Sequence, residues 1–456
     1  MAVENSAFIF KQAHFDGANG VLTLDYKDSR FGDFQELFIF PEHLCQQQWL
    51  SEDQRTTWLT AVNQAVQHVF WMAGVSYYKT QLAHDIQFQD MPPSVTEAIW
   101  LTDTWQAGLA ELAHRNKLPW LSHIQFTGQS KQAETTDDNP APAIDLPGRS
   151  LVAIGGGKDS LVTIERLRTI GEDITLFQVG SSPLIAEVAE ATGLPLLSVK
   201  RQVDARLNEV NQQGAYNGHI PITAINSAVA VLTALLGGFD TVVFSNERSA
   251  DSGNFSDEQG RWINHQYSKS WAFESQYQAI VKQGITASLD YCSLLRPYSE
   301  LAIVKQFSQY RQYFSVFSSC NRNFHLGGSQ NQQHRWCGEC PKCAFVFITL
   351  APFISRVELL SIFAEDLLAK PDLKNLFLAL FGVEGDKPFE CVGEALEARV
   401  ALYLLKQHPD WLQQSTLTDW LNQVPPPSTV AINHLMAPQL PYQLPQKRHF
   451  KQALWS

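Results

Sequence analysis

Three thiols, Cys337, Cys340 and Cys343, form C-x2-C-x2-C in "WCGECPKC", and Cys320 in "SSCNRNF" supplies a fourth upstream. Four thiolates with two-residue spacings suit a closed, tetrahedral Zn2+ site, which is structural because no ligand position is left for water. An iron–sulfur cluster is a second reading, although radical-type motifs run C-x3-C-x2-C; free thiols are a third. The chain has 7 cysteines, an odd number, and their crowding fits a reducing compartment better than a disulfide framework.

A second constellation lies in "LVAIGGGKDSLVTIERLR", residues 151–168. Gly155, Gly156 and Gly157 follow an apolar run, and Lys158, Asp159 and Ser160 open a helix. The spacing is too short for GxxxxGK[ST], and Ser160 stands where GxGxxG needs its third glycine. The physical requirements of a phosphate cradle are nonetheless met. Glycines let backbone N–H groups approach an anion, the helix start adds its positive dipole end, and a serine hydroxyl can donate. Asp159 makes sense beside a phosphate when a Mg2+ is shared between them. The bland alternative is a tight strand-to-helix turn without a ligand.

Further polar groups cluster downstream. "FSNERSADSGN", residues 244–254, follows the apolar run "DTVVF" and brings Ser245, Asn246, Glu247, Arg248 and Asn254 to the same rim as the glycine turn. "NHQYSKS" carries His265, Tyr267 and Lys269, spaced as on one face of a strand and suited to holding anions or moving protons. "YNGHIP" places Asn217 and His219 before a helix, and "LRPYSELAI" sets Arg296 and Glu300 about a helix start at Pro297. Arg248 and Arg296 are candidates for holding substrate anions. Cys391, in "KPFECVGE", is separate from the other thiols and could serve as an acid/base or be a buried structural thiol. A solvated loop, ordinary ion pairs and a structural histidine are the competing readings of these groups.

These residues need elements to position them. Residues 1–126 read as an α+β unit: alternating strands around "DGANG", then helices near 53–73 and 94–115. Residues 127–148 are polar, Pro-containing and aperiodic, as a linker would be. From 149 to 290 apolar strands alternate with helices, which predicts a doubly wound parallel α/β sheet with ligands beyond the carboxyl ends of its strands. Residues 291–423 read as a helical region containing the cysteine cluster, and 424–456 as a Pro-rich irregular tail.

Composition narrows the partners. The chain has 456 residues, 34 Lys plus Arg and a formal net charge of −12, which disfavours a sequence-independent grip on nucleic acid. It contains no apolar run of about 18 residues and no basic-then-apolar leader, so a cytoplasmic protein without a membrane role is expected. The oligomeric state stays open.

"GGGKDS" resembles the pyrophosphate loop SGGxDS of the N-type ATP pyrophosphatases, with Gly155 where that family has serine. Such enzymes cleave ATP between the α- and β-phosphates. The wider order of "GGGKDS", "GAYNGHIPITAINSA", "FSNERSA", "NHQYSKS", "LRPYSELAI", "SCNR", "WCGECPKC" and "KPFECVGE" resembles the ATP-dependent UDP-N-acetylmuramoyl-L-alanyl-L-glutamate epimerases of the MurL type. The resemblance covers roughly residues 150–400 and more loosely "GVSYYK" and "HRNKLPW". It implies ATP and Mg2+ as cofactors, UDP-MurNAc-L-Ala-L-Glu as substrate, and inversion of its terminal glutamate in peptidoglycan precursor synthesis with release of AMP and pyrophosphate.

The chemistry is coherent on its own terms. The α-hydrogen of a free carboxylate is barely acidic, because its loss sets a second negative charge beside the first. Adenylation removes the first charge, and closure of the neighbouring amide oxygen to an oxazolone would acidify the position further. Gly155–Ser160, Ser245, Asn246 and Glu247 are then expected at ATP, with Asp159 at Mg2+ and Lys158 or Lys269 near the α-phosphate. Arg248, Asn254, Arg296, Glu300 and Asn217 are expected at the substrate. His265, Tyr267, Lys269, His219, Cys391 and Arg248 are the catalytic candidates. Amide formation or nucleoside modification by a related ATP pyrophosphatase, and a nucleotide sensor without turnover, remain as alternatives.

Overall fold

The computed structural model describes residues 6–129, 140–257, 259–324 and 335–455; residues 130–139 of the expected linker lie outside the described residues. Eleven strands are found among the described residues: β1 Ala7–Asp16, β2 Val21–Asp28, β3 Gly32–Ile39, β4 Asp85–Phe88, β5 Ser150–Ala153, β6 Ile174–Val179, β7 Leu196–Gln202, β8 Thr241–Phe244, β9 Phe255–Ser256, β10 Trp262–Ile263 and β11 Asp290–Ser293. All but the short β9–β10 hairpin join one sheet in the order β11-β8-β5-β6-β7-β3-β2-β1-β4.

The five strands from β11 to β7 run parallel. The chain enters at β5, winds outward through β6 and β7, then returns to the other flank of β5 with β8 and β11. This reversal leaves a crevice beyond the carboxyl ends of β5 and β8, where doubly wound sheets bind ligands. Alternate residues serve opposite faces: Leu151 and Val242 pack with the Arg55–Ala73 and Ile222–Gly237 helices, whereas Val152 and Val243 pack with the Lys158–Arg168, Glu300–Phe307 and Pro341–Leu350 helices.

β1, β2 and β3 add to this sheet instead of building another. β3 pairs antiparallel with β7 from Leu37↔Gln202 to Ile39↔Lys200, which covers what would otherwise be an open strand edge. One apolar core therefore runs from Phe8 to Tyr291, across the segment expected as a linker.

Several local expectations are corrected. "NHQYSKS" is no strand: the Asn264 side chain accepts from Gln266 N at 2.8 Å, and Tyr267–Lys269 is a 3-10 turn leading into a helix capped by Ser270. The helix in "LRPYSELAI" begins at Glu300 with Ser299 as N-cap, not at Pro297, because the Ser299 hydroxyl accepts from Ala302 N at 3.1 Å. The tail is only partly irregular. It contains a Thr429–Met436 helix, and the Trp455 ring stacks on Tyr298 with centroids 3.6 Å apart.

Candidate active site

The glycine turn caps β5 at the crevice. Gly156 has φ +79°, which favours glycine, and a Cβ there would stand 2.5 Å from the Leu184 Cδ2 methyl, which would have to move. A Cβ on Gly155 would meet nothing within 4 Å. Gly157 is the N-cap of the Lys158–Arg168 helix, and the Ser160 hydroxyl donates to its carbonyl at 3.0 Å.

A cavity of about 310 Å³ opens over the turn. Gly155, Gly157, Asp159 and Ser160 line one side; Ser245, Asn246 and Glu247, from the end of β8, line another. Lys269, Ser319, Lys342 and Cys391 complete it. Lys158 is not part of the wall. Its ammonium is buried, 2.6 Å from Asp159 Oδ1 and 2.8 Å from Glu300 Oε1. Lys342 meets the same Glu300 oxygen at 2.9 Å. Burial alone would push the Glu300 carboxyl up; the two ammonium groups hold it well below the usual range. Glu247 is pushed up by burial and by the negative charges of Glu300 and Asp159.

A second cavity of about 570 Å³ adjoins the first and shares Thr223, Lys269, Asn321 and Cys391 with it. His219, His265, Arg115 and Glu390 line its remainder. His265 Nδ1 bonds to Glu111, whose other oxygen accepts from Arg115 Nε at 2.6 Å. Burial by itself would push the imidazole down; Cys391 and Glu111 outweigh it and hold His265 up at about 9. Burial likewise opposes ionisation of Cys391, but Lys269, with Nζ 3.3 Å from the sulfur, and His265 bring the thiol down to about 6. The two opposite shifts favour a thiolate–imidazolium pair near neutral pH. His219 lies beside His265 with ring centroids 4.2 Å apart and planes tilted by 38°, and burial together with that neighbour pushes it down to about 4.

Other expected residues serve elsewhere. Arg248 donates to the carbonyls of Pro297 at 3.1 Å and of Ala437 and Leu435 at 3.3 Å, so its guanidinium ties down the tail. Arg296 is buried, paired with Glu274 at 2.7 Å, and donates to the backbone oxygens of Glu247 at 2.8 Å and Lys269 at 2.5 Å. It positions the wall and has no face left for a substrate anion. Asn254 donates to Pro388 O at 2.8 Å and accepts from His265 N at 3.0 Å, linking the Cys391 loop to His265. Asn217 accepts from Lys79 Nζ at 2.7 Å. Tyr267 packs against the core, outside both cavity walls, and burial pushes its hydroxyl well up.

Sequence reasoning missed Glu111, Ser319, Asn321 and Lys342. Lys342 had a signal, being the one cation inside the C-x2-C of "CPKC". Glu111 had none: it sits on the Ala110–Arg115 helix, 154 positions from His265.

The four thiols come together. Cys320 Sγ lies 3.9 Å from Cys340 Sγ, and Cys343 Sγ lies 3.7 Å from Cys337 Sγ and 3.5 Å from Cys340 Sγ. Metal–sulfur bonds of about 2.3 Å in a tetrahedron put sulfurs about 3.8 Å apart, so this cluster could bind a metal ion.

Fold and site together define a mixed α/β protein with a polar ligand crevice at the reversal point of a parallel-rich sheet, backed by a helical region with a thiolate cluster. The family is shown by comparison. The MurL N-terminal domain model matches residues 2–294 and the MurL C-terminal domain model matches 316–434. A protein of Xanthomonas oryzae pv. oryzae named UDP-N-acetyl-alpha-D-muramoyl-L-alanyl-L-glutamate epimerase is 41% identical over 453 residues, 99% of this chain and 96% of its own length. A Salinispora tropica protein of the same name is 39% identical over 92% of this chain and 89% of its own, and a Micromonospora protein so named is 40% identical over 82% of each. The chain belongs to the MurL family.

Proposed function

We propose that this protein inverts the α-carbon of the terminal glutamate in UDP-MurNAc-L-Ala-L-Glu, giving the D-glutamate form used in peptidoglycan synthesis. Family membership and the relatives' names support the reaction. The glycine-turn cavity is read as a PP-loop ATP site, with the carboxylates of Asp159 and Glu247 holding Mg2+; the upward push on Glu247 is what a cation there would relieve. Mg2+ would offset phosphate charge. The thiolate cluster is read as a structural zinc site.

The observation that carries the mechanism is the wall shared by the two cavities. A glutamate carboxylate reaching the nucleotide attacks the α-phosphorus, pyrophosphate leaves, and the acyl adenylate sits beside Lys269 and Cys391. The Cys391 thiolate removes the α-proton, now acidified by the mixed anhydride. The His265 imidazolium, held charged by Glu111, returns a proton to the other face of the planar intermediate, which must lie between the sulfur and the imidazole and so parts their contact. Water then cleaves the anhydride to the free carboxylate and AMP. Lys269 keeps Cys391 ionised and offsets charge on the activated carbonyl. ATP and a UDP-linked precursor set this reaction in the cytoplasm.

The test is incubation with ATP, Mg2+ and UDP-MurNAc-L-Ala-L-Glu bearing 18O in the terminal carboxylate. AMP carrying one 18O, together with an inverted centre, is expected. Unlabelled AMP rejects adenylation, an amide product assigns the chain to amide-forming ATP pyrophosphatases, and no AMP leaves a nucleotide sensor.

A further inference from the structure

The wall of the glycine-turn cavity contributed by the C-terminal region is built on the cysteine cluster. Ser319 and Asn321 flank Cys320, and Lys342 lies between Cys340 and Cys343; all three non-cysteine residues line the cavity. The loop is braced from both ends. Ser318 N donates to Gly156 O at 3.0 Å, and the Ser318 hydroxyl accepts from Cys320 N at 3.2 Å while donating to Arg335 O at 2.8 Å. A Cβ at Gly157 would stand 3.3 Å from Ser319 Cβ, so turn and loop are in direct contact.

Two hydroxyls in this cavity stand out among the described residues. The Ser319 and Ser245 oxygens are buried and have no hydrogen-bond partner among the described residues. An unmatched buried hydroxyl is destabilising, and a ligand oxygen in the cavity would satisfy it. Lys342 is 6% exposed, and its ammonium is fixed by Glu300, on a side of the cavity that the glycine turn does not supply.

We infer that the four-cysteine cluster is part of the nucleotide site: Ser319 and Lys342 bind the phosphates of ATP from the side facing the glycine turn, and metal in the cluster fixes both in place. This inference rests on reading the cavity as an ATP site. The thiolates hold the metal; Ser319 donates a hydrogen bond and Lys342 supplies a fixed positive charge.

The experiment is calorimetric titration of α,β-methylene-ATP with Mg2+ into the zinc-loaded full chain, its Lys342→Met and Ser319→Ala variants, and protein stripped by chelator. Far-UV circular dichroism is recorded on each. The zinc-loaded protein is expected to bind, Lys342→Met to bind at least tenfold more weakly, and Ser319→Ala severalfold more weakly. Stripped protein is expected to lose binding and regain it on addition of Zn2+. Wild-type affinity in both variants overturns the inference, as does unchanged affinity in stripped protein. Ser319→Ala keeps the test valid if stripping or Lys342→Met unfolds the chain, because its hydroxyl has no bond to lose among the described residues. A wild-type protein that binds no analogue rejects the ATP reading itself, a result distinct from binding that ignores Lys342 and Ser319.

Discussion

Replacing Glu111 by Gln keeps the shape of the His265 partner and removes its charge. Burial favours neutral His265, and Cys391 and Glu111 together carry it from an ordinary 6.5 to about 9. If both partners were lost, the alkaline limit of the imidazolium would fall to 6.5 or below, a change of about 3.4 kcal/mol or more at 1.36 kcal/mol per pH unit. Cys391 remains in the variant, so the expected change is on the order of one pH unit, or about 1.4 kcal/mol. The assay is kcat/KM for loss of deuterium from the α-position of labelled substrate between pH 5 and 10. The wild-type profile should rise near 6, as Cys391 ionises, and fall near 9, as His265 loses its proton. In Glu111→Gln the alkaline limb should move to lower pH while pyrophosphate release at pH 7 persists. An alkaline limb in the same place in both proteins refutes the assignment of His265 as the charged acid. The same linkage acts on stability: the raised His265 value contributes fully below pH 6.5, and the contribution is lost as pH rises through about 9.

Cys391→Ser should lower α-deuterium exchange by about 100-fold or more while pyrophosphate release continues, because a serine hydroxyl is not ionised at neutral pH; parallel measurement of the two rates checks this. Gly156→Ala should destabilise by about 2 kcal/mol or more through its positive φ and the Leu184 contact, whereas Gly155→Ser, pointing into open space, should stay within about 0.5 kcal/mol; thermal unfolding distinguishes them. Arg296→Met should cost about 3–5 kcal/mol by leaving Glu274 unpaired in the core; a fully stable variant with only a raised substrate KM would return Arg296 to the substrate.

What was legible in the sequence is what is local. The glycine turn, the strand–helix alternation from Leu151 and the close thiol spacing each lie within a short window, and the backbone follows them. Polar residues at the end of β8 were likewise placed at the crevice, because strand direction alone decides which end they occupy. The partners of charged groups were not legible. Arg248 and Arg296 have the side chains of anion binders, but tail carbonyls and Glu274 reach them first, and those contacts span 189 and 22 positions. The union of β3 with β7 was equally hidden, since alternation in a strand says which face is buried and not which neighbour it takes.

The origin of the acid/base groups has a consequence for synthesis of the chain. Glu111, His265 and Cys391 emerge from the ribosome in that order, with the last following the glycine turn by more than 200 positions. A nascent or truncated chain ending before residue 391 has the turn and the β8 rim but lacks the thiol proposed to take the α-proton. Only after the C-terminal region docks does the pocket proposed to activate a carboxylate acquire the thiol proposed to act on the product of that step. On the proposed mechanism, translation arrest between β11 and residue 391 would produce a species without the thiol for proton transfer, and activation and inversion are coupled only in a chain that extends past that residue.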